Sequence, residues 1–306
     1  MTFILKILGS NSAAPAHNRH QTSQLLNIQN QLFLIDCGEG TQLQLAKYHV
    51  KINRINNIFI SHLHGDHFFG LMGLISTMHL YGRKKNLTIY GPPGLAEIIT
   101  LQLKYSESNL NFRVILNELQ DKNPEKIFEN EFMTVDTIPL VHRVFCNGFL
   151  FREKPKPRKI NKEKLPANFT LNNIIRLKKG FDIENEAGEV IYKNKDYTLP
   201  PKHSYSYAYC SDTLYHEDLI DQVNGVDLLY HESTFMDDMK ERAVQTYHST
   251  ARQAASIGLK AKVGQLILGH YSVRYKDLTP LLEEARQVFP NSQLGVEGQD
   301  IVLAKY

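Results

Sequence analysis

The sequence has few cysteines and no long apolar run, and each absence narrows what the protein can be. Its three cysteines, Cys37, Cys146 and Cys210, form no CxxC motif and no disulfide framework, so we expect buried, reduced thiols and a cytoplasmic location. No apolar stretch reaches the roughly 18 residues that a membrane-spanning helix needs, which argues against a membrane partner. The apolar start lacks a basic region and a cleavage site, so residues 1–8 are predicted to form a strand rather than a signal peptide.

The charge of the chain is concentrated in one segment. The 306 residues carry a net charge of +3, and their composition is ordinary for a globular protein. Residues 152–179 hold ten Lys and Arg against two Glu, a net charge of +8, so the rest of the chain carries −5. Between residues 152 and 203, only Leu171 to Leu177 has a core-forming apolar period, and it could be a helix. We therefore interpret 152–203 as a basic arm inserted into a single domain of residues 1–306.

The densest pattern of metal-binding residue types lies within six positions. It contains three histidines and one aspartate: His62, His64, Asp66 and His67. The apolar run from Ile55 to Ile60 predicts a buried strand before this loop, and the run from Phe68 to Met78 predicts a helix after it. Clustered imidazoles and carboxylates cost desolvation free energy unless something satisfies them, and both are Zn²⁺ ligands at about 2.0–2.2 Å. The spacing therefore predicts a metal site at the carboxyl end of a strand.

Single polar residues also follow other predicted strands. They are Asp36, His142, Asp212, His231 and His270. Because ligands and catalytic groups of α/β sheets lie at the carboxyl ends of strands, we expect these side chains to converge on the metal loop. Asp36 has two interpretations of equal weight. It stabilises its own glycine-rich turn, or it orients the metal loop, and the two roles are compatible.

The predicted ligands suffice for two metal ions. One ion would take nitrogens from His62, His64 and His142, the second would be bound by Asp66, His67 and His270, and the two carboxylate oxygens of Asp212 would bridge them. Two ions about 3.5–4 Å apart are the standard arrangement for in-line attack on a phosphodiester. Imidazole-rich coordination favours zinc, with Mn²⁺, Co²⁺ and Fe²⁺ as alternatives. We expect two zinc ions per subunit.

Taken together, the motifs resemble a known family. The segment Ser61–His67, followed in order by isolated His142, Asp212 and His270, resembles the metallo-β-lactamase superfamily. Three further segments resemble its RNase Z group, the tRNA 3′-processing endoribonucleases. They are Asp36–Gln42, His231-Glu232-Ser233-Thr234 (with Ser where Ala is usual) and His248-Ser249-Thr250. The likeness covers nearly the whole chain outside the arm.

This resemblance implies a fold and a reaction. The fold would be α/β, a four-layer αββα sandwich with a dinuclear zinc site at one edge. The substrate would be a tRNA precursor, cut 3′ of the discriminator base to leave a 3′-hydroxyl on the tRNA. Asp66 would bind metal and activate the attacking water, while His248, supported by Glu232, would help to protonate the leaving oxygen. The residues alone also fit an ordinary helix start, with Ser249 or Thr250 as the N-cap.

The resemblance further implies a homodimer in which an arm grips tRNA from the partner subunit. The basic segment lies in the corresponding place, and seven of its cations are the predicted RNA-binding residues: Lys154, Lys156, Arg158, Lys159, Arg176, Lys178 and Lys179. A solvated basic loop is the alternative. The sequence departs from the family in lacking a Gly-Pro element in the arm. It also has Pro15-Ala16-His17-Asn18-Arg19-His20 where many members have Pro-x-Lys-x-Arg-Asn.

Two other functions remain open at this stage. The same fold could hydrolyse a small phosphodiester or a sulfate ester, although the basic arm argues against a small substrate. The chain could instead be a non-catalytic RNA-binding module, although the complete set of predicted ligands argues against a decayed site.

Overall fold

The computed structural model describes residues 2–120, 123–166 and 169–304, so Met1 of the predicted first strand and residues 167 and 168 of the predicted arm lie outside these ranges. The chain divides into two compact units. One comprises Met1–Asn130, Thr134–Phe151 and Tyr205–Tyr306, and the other comprises Glu131–Met133 and Arg152–Ser204. Within the described ranges, no helix is long and apolar enough to cross a membrane.

Two seven-stranded sheets form the centre of the larger unit. In spatial order, the strands of the first sheet are Asp300–Ala304, Phe3–Gly9, Ser23–Ile28, Gln31–Cys37, Ile55–Phe59, Leu87–Gly91 and Val114–Glu118. Those of the second are Ser292–Leu294, Gln265–Gly269, Leu228–Glu232, Ser206–Cys210, Asn147–Glu153, Met133–Pro139 and Lys126–Glu129. The strands from Gln31–Cys37 to Val114–Glu118 are parallel to their neighbours, as are those from Ser292–Leu294 to Ser206–Cys210. Each sheet therefore brings several carboxyl ends to one edge.

Helices pack on the outer face of each sheet. The first sheet is covered by Thr41–Lys47, Leu71–Leu80 and Leu95–Tyr105, and the second by Asp218–Gln222, Ala251–Lys260 and Thr279–Arg286. The larger unit also contains the helices Gly65–Phe68 and Lys240–Thr246 and the 3₁₀ turns Ile52–Arg54 and Asp237–Met239.

Aromatic side chains fill the space between the two sheets. Phe33 and Phe59 from the first sheet pack against Phe149 and Phe151 from the second, with ring centroids 5.3 to 6.0 Å apart. Each such fully buried side chain contributes about 1.5–3 kcal/mol to stability by leaving water. The predicted four-layer αββα architecture is thus confirmed. Cys37, Cys146 and Cys210 are buried and form no disulfide, as expected.

The helix predicted for Phe68 to Met78 is interrupted. The structure instead has a short helix, Gly65–Phe68, and a separate one, Leu71–Leu80. The break lies at Gly70, whose N–H donates to the Cys37 carbonyl at 2.9 Å and where a Cβ would lie 2.2 Å from the Gly38 carbonyl oxygen. This close approach of two loops is a tertiary contact, so the local apolar pattern did not reveal it.

Thr250 settles the choice between the two predicted N-caps. Its hydroxyl accepts the Gln253 N–H at 3.2 Å, while the Gln253 side chain accepts the Thr250 N–H at 2.9 Å, which completes a capping box for Ala251–Lys260. The Ser249 hydroxyl instead donates to the Thr213 carbonyl at 2.8 Å. This helix start fixes the backbone directly after His248.

The smaller unit is folded and has its own apolar contacts. It contains the helices Leu171–Lys178 and Asn194–Tyr197, the 3₁₀ turn Lys162–Lys164, and two short pairings, Lys159–Ile160 with Thr198–Leu199 and Ile183–Glu184 with Val190–Tyr192. The rings of Phe169, Tyr192 and Tyr197 pack with centroids 4.8 to 5.5 Å apart. In its described residues, the basic segment is therefore a structured unit.

Candidate metal centre

Asp36 directs its carboxylate into the metal loop. It is fully buried at the end of Gln31–Cys37. It accepts hydrogen bonds from the Ser61 N–H at 2.7 Å, the Ser61 hydroxyl at 2.8 Å, Nδ1 of His67 at 2.7 Å and the Tyr209 hydroxyl at 2.5 Å. Because these contacts occupy most of its lone pairs, Asp36 orients the loop that carries the ligands. The orienting interpretation is confirmed.

Three imidazoles and one carboxylate oxygen converge on one point. Nε2 of His62 lies 3.0 Å from Nδ1 of His64, which lies 3.2 Å from Nε2 of His142. The Oδ2 atom of Asp212 is 3.5 Å from Nε2 of His62 and 3.9 Å from Nε2 of His142. Four ligand atoms around one tetrahedral zinc ion lie about 3.3–3.6 Å apart, so this spacing suits a single cation.

A second group lies on the other side of Asp212. Nε2 of His67 is 3.2 Å from Nε2 of His270, and both nitrogens approach Oδ2 of Asp66, at 3.5 and 3.3 Å. The same two nitrogens lie 3.4 and 3.1 Å from Oδ1 of Asp212. Asp212 thus turns one oxygen toward each group. The structure brings together all seven ligands that the sequence predicts, in the same two sets.

The orientation of the rings fits a cation at this place. Nδ1 of His67 faces Asp36, Nδ1 of His142 lies 2.9 Å from the Tyr247 carbonyl oxygen, and Nδ1 of His270 lies 2.9 Å from the Thr234 hydroxyl. We assign the proton to Nδ1 in each ring, which leaves the Nε2 lone pairs aimed at the cluster.

The Asp212 carboxylate also fits a cation at this place. Its Oδ1 atom is buried and makes no aligned hydrogen bond within the described parts of the chain. A buried acceptor without a partner costs about 1–3 kcal/mol, and more if it is charged. A divalent ion next to Oδ1 would remove that cost, so the donor set fits a metal cofactor.

Burial keeps the first three imidazoles neutral. Burial, followed by the neighbouring His67, lowers the pKa of His62 well below its ordinary value. Burial and then His142 lower the pKa of His64, and burial lowers that of His142. Neutral imidazole is the form that binds metal, so these rings do not have to lose a proton at neutral pH.

His67 has the opposite electrostatic environment. Burial opposes its charge, but Asp212, Asp66 and Asp36 outweigh burial and raise the pKa of His67 well above its ordinary value. In the absence of a cation, these carboxylates hold a proton on the ring. A metal ion would take the place of that proton.

A histidine–carboxylate pair lies beside the cluster. Nδ1 of His248 is 2.9 Å from Oε1 of the fully buried Glu232. Three further residues donate hydrogen bonds to Glu232 and fix it: Thr213, Thr234 and Ser249. Burial opposes a charge on His248, but Glu232 and then Asp212 outweigh burial and raise the pKa of His248 to about 9. At neutral pH this ring carries a proton that it can donate.

His231 does not join the site, and the expectation that it would converge with the other strand-end residues is wrong. It precedes Glu232 on the strand Leu228–Glu232, and successive strand residues point to opposite faces. Since Glu232 faces the cluster, His231 faces away, fully buried, with Nδ1 2.7 Å from the Glu232 carbonyl oxygen.

The predicted RNA-binding cations differ in their exposure to solvent and in whether they already have a partner. Lys159, Lys178 and Lys179 are exposed. Lys156 is engaged, because its ammonium lies 2.5 Å from both the Glu153 carboxylate and the His203 carbonyl oxygen.

The other three predicted RNA-binding cations are half-buried or lie near a polar partner. Arg158 donates from Nε to the Thr198 hydroxyl at 2.7 Å, and Lys154 is half-buried. Arg176 is exposed and lies 3.9 Å from the Glu184 carboxylate.

Sequence reasoning missed several groups that position the ligands. Tyr209 contacts Asp36, Thr234 contacts His270, and the carbonyl of Tyr247 contacts His142. Tyr209 lies on the strand that leads to Asp212, which is a signal that could have suggested its role. A backbone carbonyl leaves no signal in the sequence.

Fold and site together define the class of protein as a hydrolase of the metallo-β-lactamase fold. The Bacillus subtilis metallo-β-lactamase fold protein YhfI matches the structure with a TM-score of 0.69 at 18% identity, covering 98% of each chain. A family model described as Anti-Pycsar protein Apyc1 matches residues 3–154.

Two curated relatives and one crystal structure identify the family. Ribonuclease Z of Cytophaga hutchinsonii is 51% identical over 304 residues, covering 99% of this chain and 97% of its own. Ribonuclease Z of Bacteroides fragilis is 48% identical, covering 98% and 99%. Human tRNase Z, short form (ELAC1), matches with a TM-score of 0.72 at 26% identity, covering 99% and 100%. The chain belongs to the ribonuclease Z family, as its motifs indicated.

Proposed function

We propose that this protein is a metal-dependent endoribonuclease that removes 3′ trailers from tRNA precursors. It hydrolyses the phosphodiester 3′ of the discriminator base and leaves a 3′-hydroxyl on the tRNA. One observation carries the proposal: Asp66, Asp212 and His248 line a single open cavity of about 510 Å³. A water-orienting carboxylate, a bridging ligand and a protonated acid therefore face the same space. The names ribonuclease Z and tRNase Z of its relatives support RNA, and tRNA in particular, as the substrate.

The cofactor we propose is a pair of zinc ions per subunit. His62, His64 and His142 would hold one ion, Asp66, His67 and His270 the other, and Asp212 would bridge them. Zinc is the ion that such imidazole-rich sets favour. When bound, the pair supplies an acidified water molecule and offsets the charge that develops on the phosphate.

Asp66 orients the attacking water. Its Oδ2 atom accepts the Ala13 N–H at 2.7 Å and lies 3.3 Å from Nε2 of His270, which fixes the carboxylate at the cavity. Burial opposes its charge, but His67 outweighs burial and holds the pKa of Asp66 well below its ordinary value. The group is therefore ionised at neutral pH, the form that can accept hydrogen bonds from water.

His248 delivers a proton to the leaving 3′ oxygen. Because Glu232 holds Nδ1, the Nε2 side of the ring is free to meet a substrate atom, and the pKa of about 9 keeps the ring protonated. Without that proton the leaving group would depart as an alkoxide, which is far more basic.

We place RNA binding on the arm, with Lys159, Lys178 and Lys179 as its principal phosphate contacts because they are exposed. Lys154, Arg158 and Arg176 contribute less, since they are half-buried or already have a partner. Lys156 instead stabilises the arm, because its ammonium is paired with the Glu153 carboxylate.

We also propose a cytoplasmic homodimer. The buried, unbonded cysteines suit a reducing compartment. The dimer follows from the family resemblance, and light scattering of the purified protein would measure it.

Cleavage of a 3′-extended pre-tRNA in the presence of zinc tests the proposal. Wild type should cut at one site, and Asp66→Ala should cut nowhere. Replacing Lys159, Lys178 and Lys179 by Glu should abolish pre-tRNA cleavage while hydrolysis of bis(p-nitrophenyl) phosphate persists. Failure of wild type to cut, or an Asp66→Ala variant as active as wild type, would contradict the proposal. Equal cleavage of pre-tRNA by the triple variant would show that these three lysines do not bind the substrate, whereas a wild type that hydrolyses only bis(p-nitrophenyl) phosphate would favour a hydrolase of small phosphodiesters.

A further inference from the structure

Two aromatic side chains, Phe69 and Tyr247, line the cavity of the metal centre from separate loops. They are 65% and 40% exposed. A single exposed aromatic residue needs no explanation, and Tyr105, at the end of Leu95–Tyr105, is one such residue. The cavity pair differs because the backbone around each ring holds it in place.

The Phe69 ring is placed by Gly65. A Cβ atom at Gly65 would lie 2.3 to 2.7 Å from three atoms of this ring, so the ring lies directly over the backbone between His64 and Asp66. The Phe68 ring supports it edge to face, with centroids 5.1 Å apart. Part of the Phe69 ring is thus packed on the metal loop, and the rest faces solvent beside the water-orienting carboxylate.

The Tyr247 ring is placed by a strained turn. Its backbone is left-handed, with φ 58° and ψ 48°, a conformation that bulky residues rarely adopt. The turn ends the helix Lys240–Thr246, presents the Tyr247 carbonyl to His142 and leads directly into His248. The Tyr247 ring lies edge-on to His142, with centroids 6.4 Å apart. The second aromatic surface therefore lies next to the leaving-group acid.

We propose that Phe69 and Tyr247 are stacking surfaces for the two bases that flank the scissile phosphate, an inference that rests on the proposed function. Single-stranded RNA is commonly bound by stacking bases on aromatic side chains. Because His248 serves the leaving 3′ oxygen, Tyr247 takes the last base of the tRNA. Phe69, beside Asp66, takes the first base of the trailer. Every base has a π-face, so this recognition requires unpaired nucleotides and tolerates any sequence.

A double-mutant cycle between protein and RNA tests this inference. Three pre-tRNAs are compared: one intact, one abasic at the last tRNA nucleotide and one abasic at the first trailer nucleotide. Tyr247→Ala should lower kcat/KM about tenfold on the intact substrate and have little effect on the RNA that lacks the last tRNA base. Phe69→Ala should show the same pattern with the RNA that lacks the first trailer base. Tyr247→Phe, which keeps the ring, should restore cleavage, and Tyr105→Ala should match wild type.

The cycle separates stacking from structural damage. A misplaced backbone lowers cleavage of all three substrates by the same factor, and that result overturns the inference, as does coupling of each ring with the opposite base. If Phe69→Ala does not fold, Phe69→Leu provides the same cycle with an apolar residue in its place. A wild type that cleaves none of the three RNAs refutes the proposed function itself, which distinguishes the two failures.

Discussion

Nδ1 of His248 lies 2.9 Å from Oε1 of Glu232, and both side chains are largely shielded from solvent. In this pair the carboxylate keeps a proton on a ring that burial alone would leave neutral. Removing the charge with Glu232→Gln takes away the largest effect that opposes burial, so the pKa of His248 should fall well below its wild-type value of about 9. Titration of the imidazole resonances of the metal-free protein by NMR would measure both values. The same pKa in wild type and variant would contradict the assignment.

The same substitution predicts a change in the pH profile of cleavage. His248 is protonated below its pKa, so the acid is available in wild type until the pH approaches that value. In Glu232→Gln it should be lost at a lower pH, and cleavage should already decline between about pH 6 and 8. Profiles of kcat that run parallel over this range would exclude His248 as the acid.

Metal uptake should release a proton from His67. The carboxylates of Asp212, Asp66 and Asp36 raise the pKa of this ring, so at neutral pH the metal-free ring carries a proton that an incoming ion must displace. Zinc affinity should therefore tighten as pH rises from 6 to 8. Chelator competition would measure the affinity, and calorimetry in buffers of different ionisation enthalpy would count the protons. Zinc binding that is independent of pH and releases no proton would contradict this account.

Tyr209 should influence metal binding through Asp36. Its hydroxyl donates to Asp36, which holds His67, whereas the Tyr207 hydroxyl on the same strand donates to Gln24. Loss of a residue that supports a metal ligand costs about 10–100-fold in affinity. Tyr209 acts on the ligand His67 through Asp36, so we expect Tyr209→Phe to lower zinc affinity by a factor near the lower end of that range.

Tyr207→Phe is the matched control because it removes the same group from an equally buried ring. Both variants should lose about 1 kcal/mol of stability with the hydrogen bond. Only Tyr209→Phe should weaken zinc binding in a chelator competition assay. Equal zinc affinities for the two variants would show that Tyr209 only fills space.

Replacing Lys156 should destabilise the arm, whereas replacing Lys159 should weaken RNA binding. Lys156→Ala breaks a buried ion pair with Glu153, a change that costs about 3–5 kcal/mol, and should make the arm sensitive to limited proteolysis. Lys159→Ala removes an exposed cation, so the arm should stay intact while the salt dependence of pre-tRNA binding falls by about 0.7–0.9 in log–log slope. The reverse pattern would return Lys156 to the RNA-binding surface.

The sequence predicts a ligand of this site most directly when the ligand lies close to other ligands along the chain. His62, His64, Asp66 and His67 lie within six residues, so their spacing alone indicated a metal loop. His142, Asp212 and His270 carry no local signal. They were found because strands deliver polar residues to one edge of a sheet. That rule fails for His231, since it does not say which face of the strand a side chain takes.

The parts that sequence reasoning missed depend on contacts between distant segments. The break at Gly70 exists because the Cys37–Gly38 turn passes against it. The aromatic cluster of the arm joins Phe169, Tyr192 and Tyr197 from separate elements, so no periodic pattern marks it. The Tyr247 carbonyl reaches His142 from a left-handed backbone conformation, which the identity of a tyrosine does not indicate.

The ligand set has a mechanical consequence as well as a chemical one. His62, His64, Asp66 and His67 follow a strand of the first sheet, whereas His142, Asp212 and His270 follow strands of the second. In a chain with no disulfide, bound ions would therefore serve as a removable crosslink between the two sheets. Separation of the sheets and release of metal would then be a single event. The rate at which a strong chelator removes the ions would measure how often the two sheets separate.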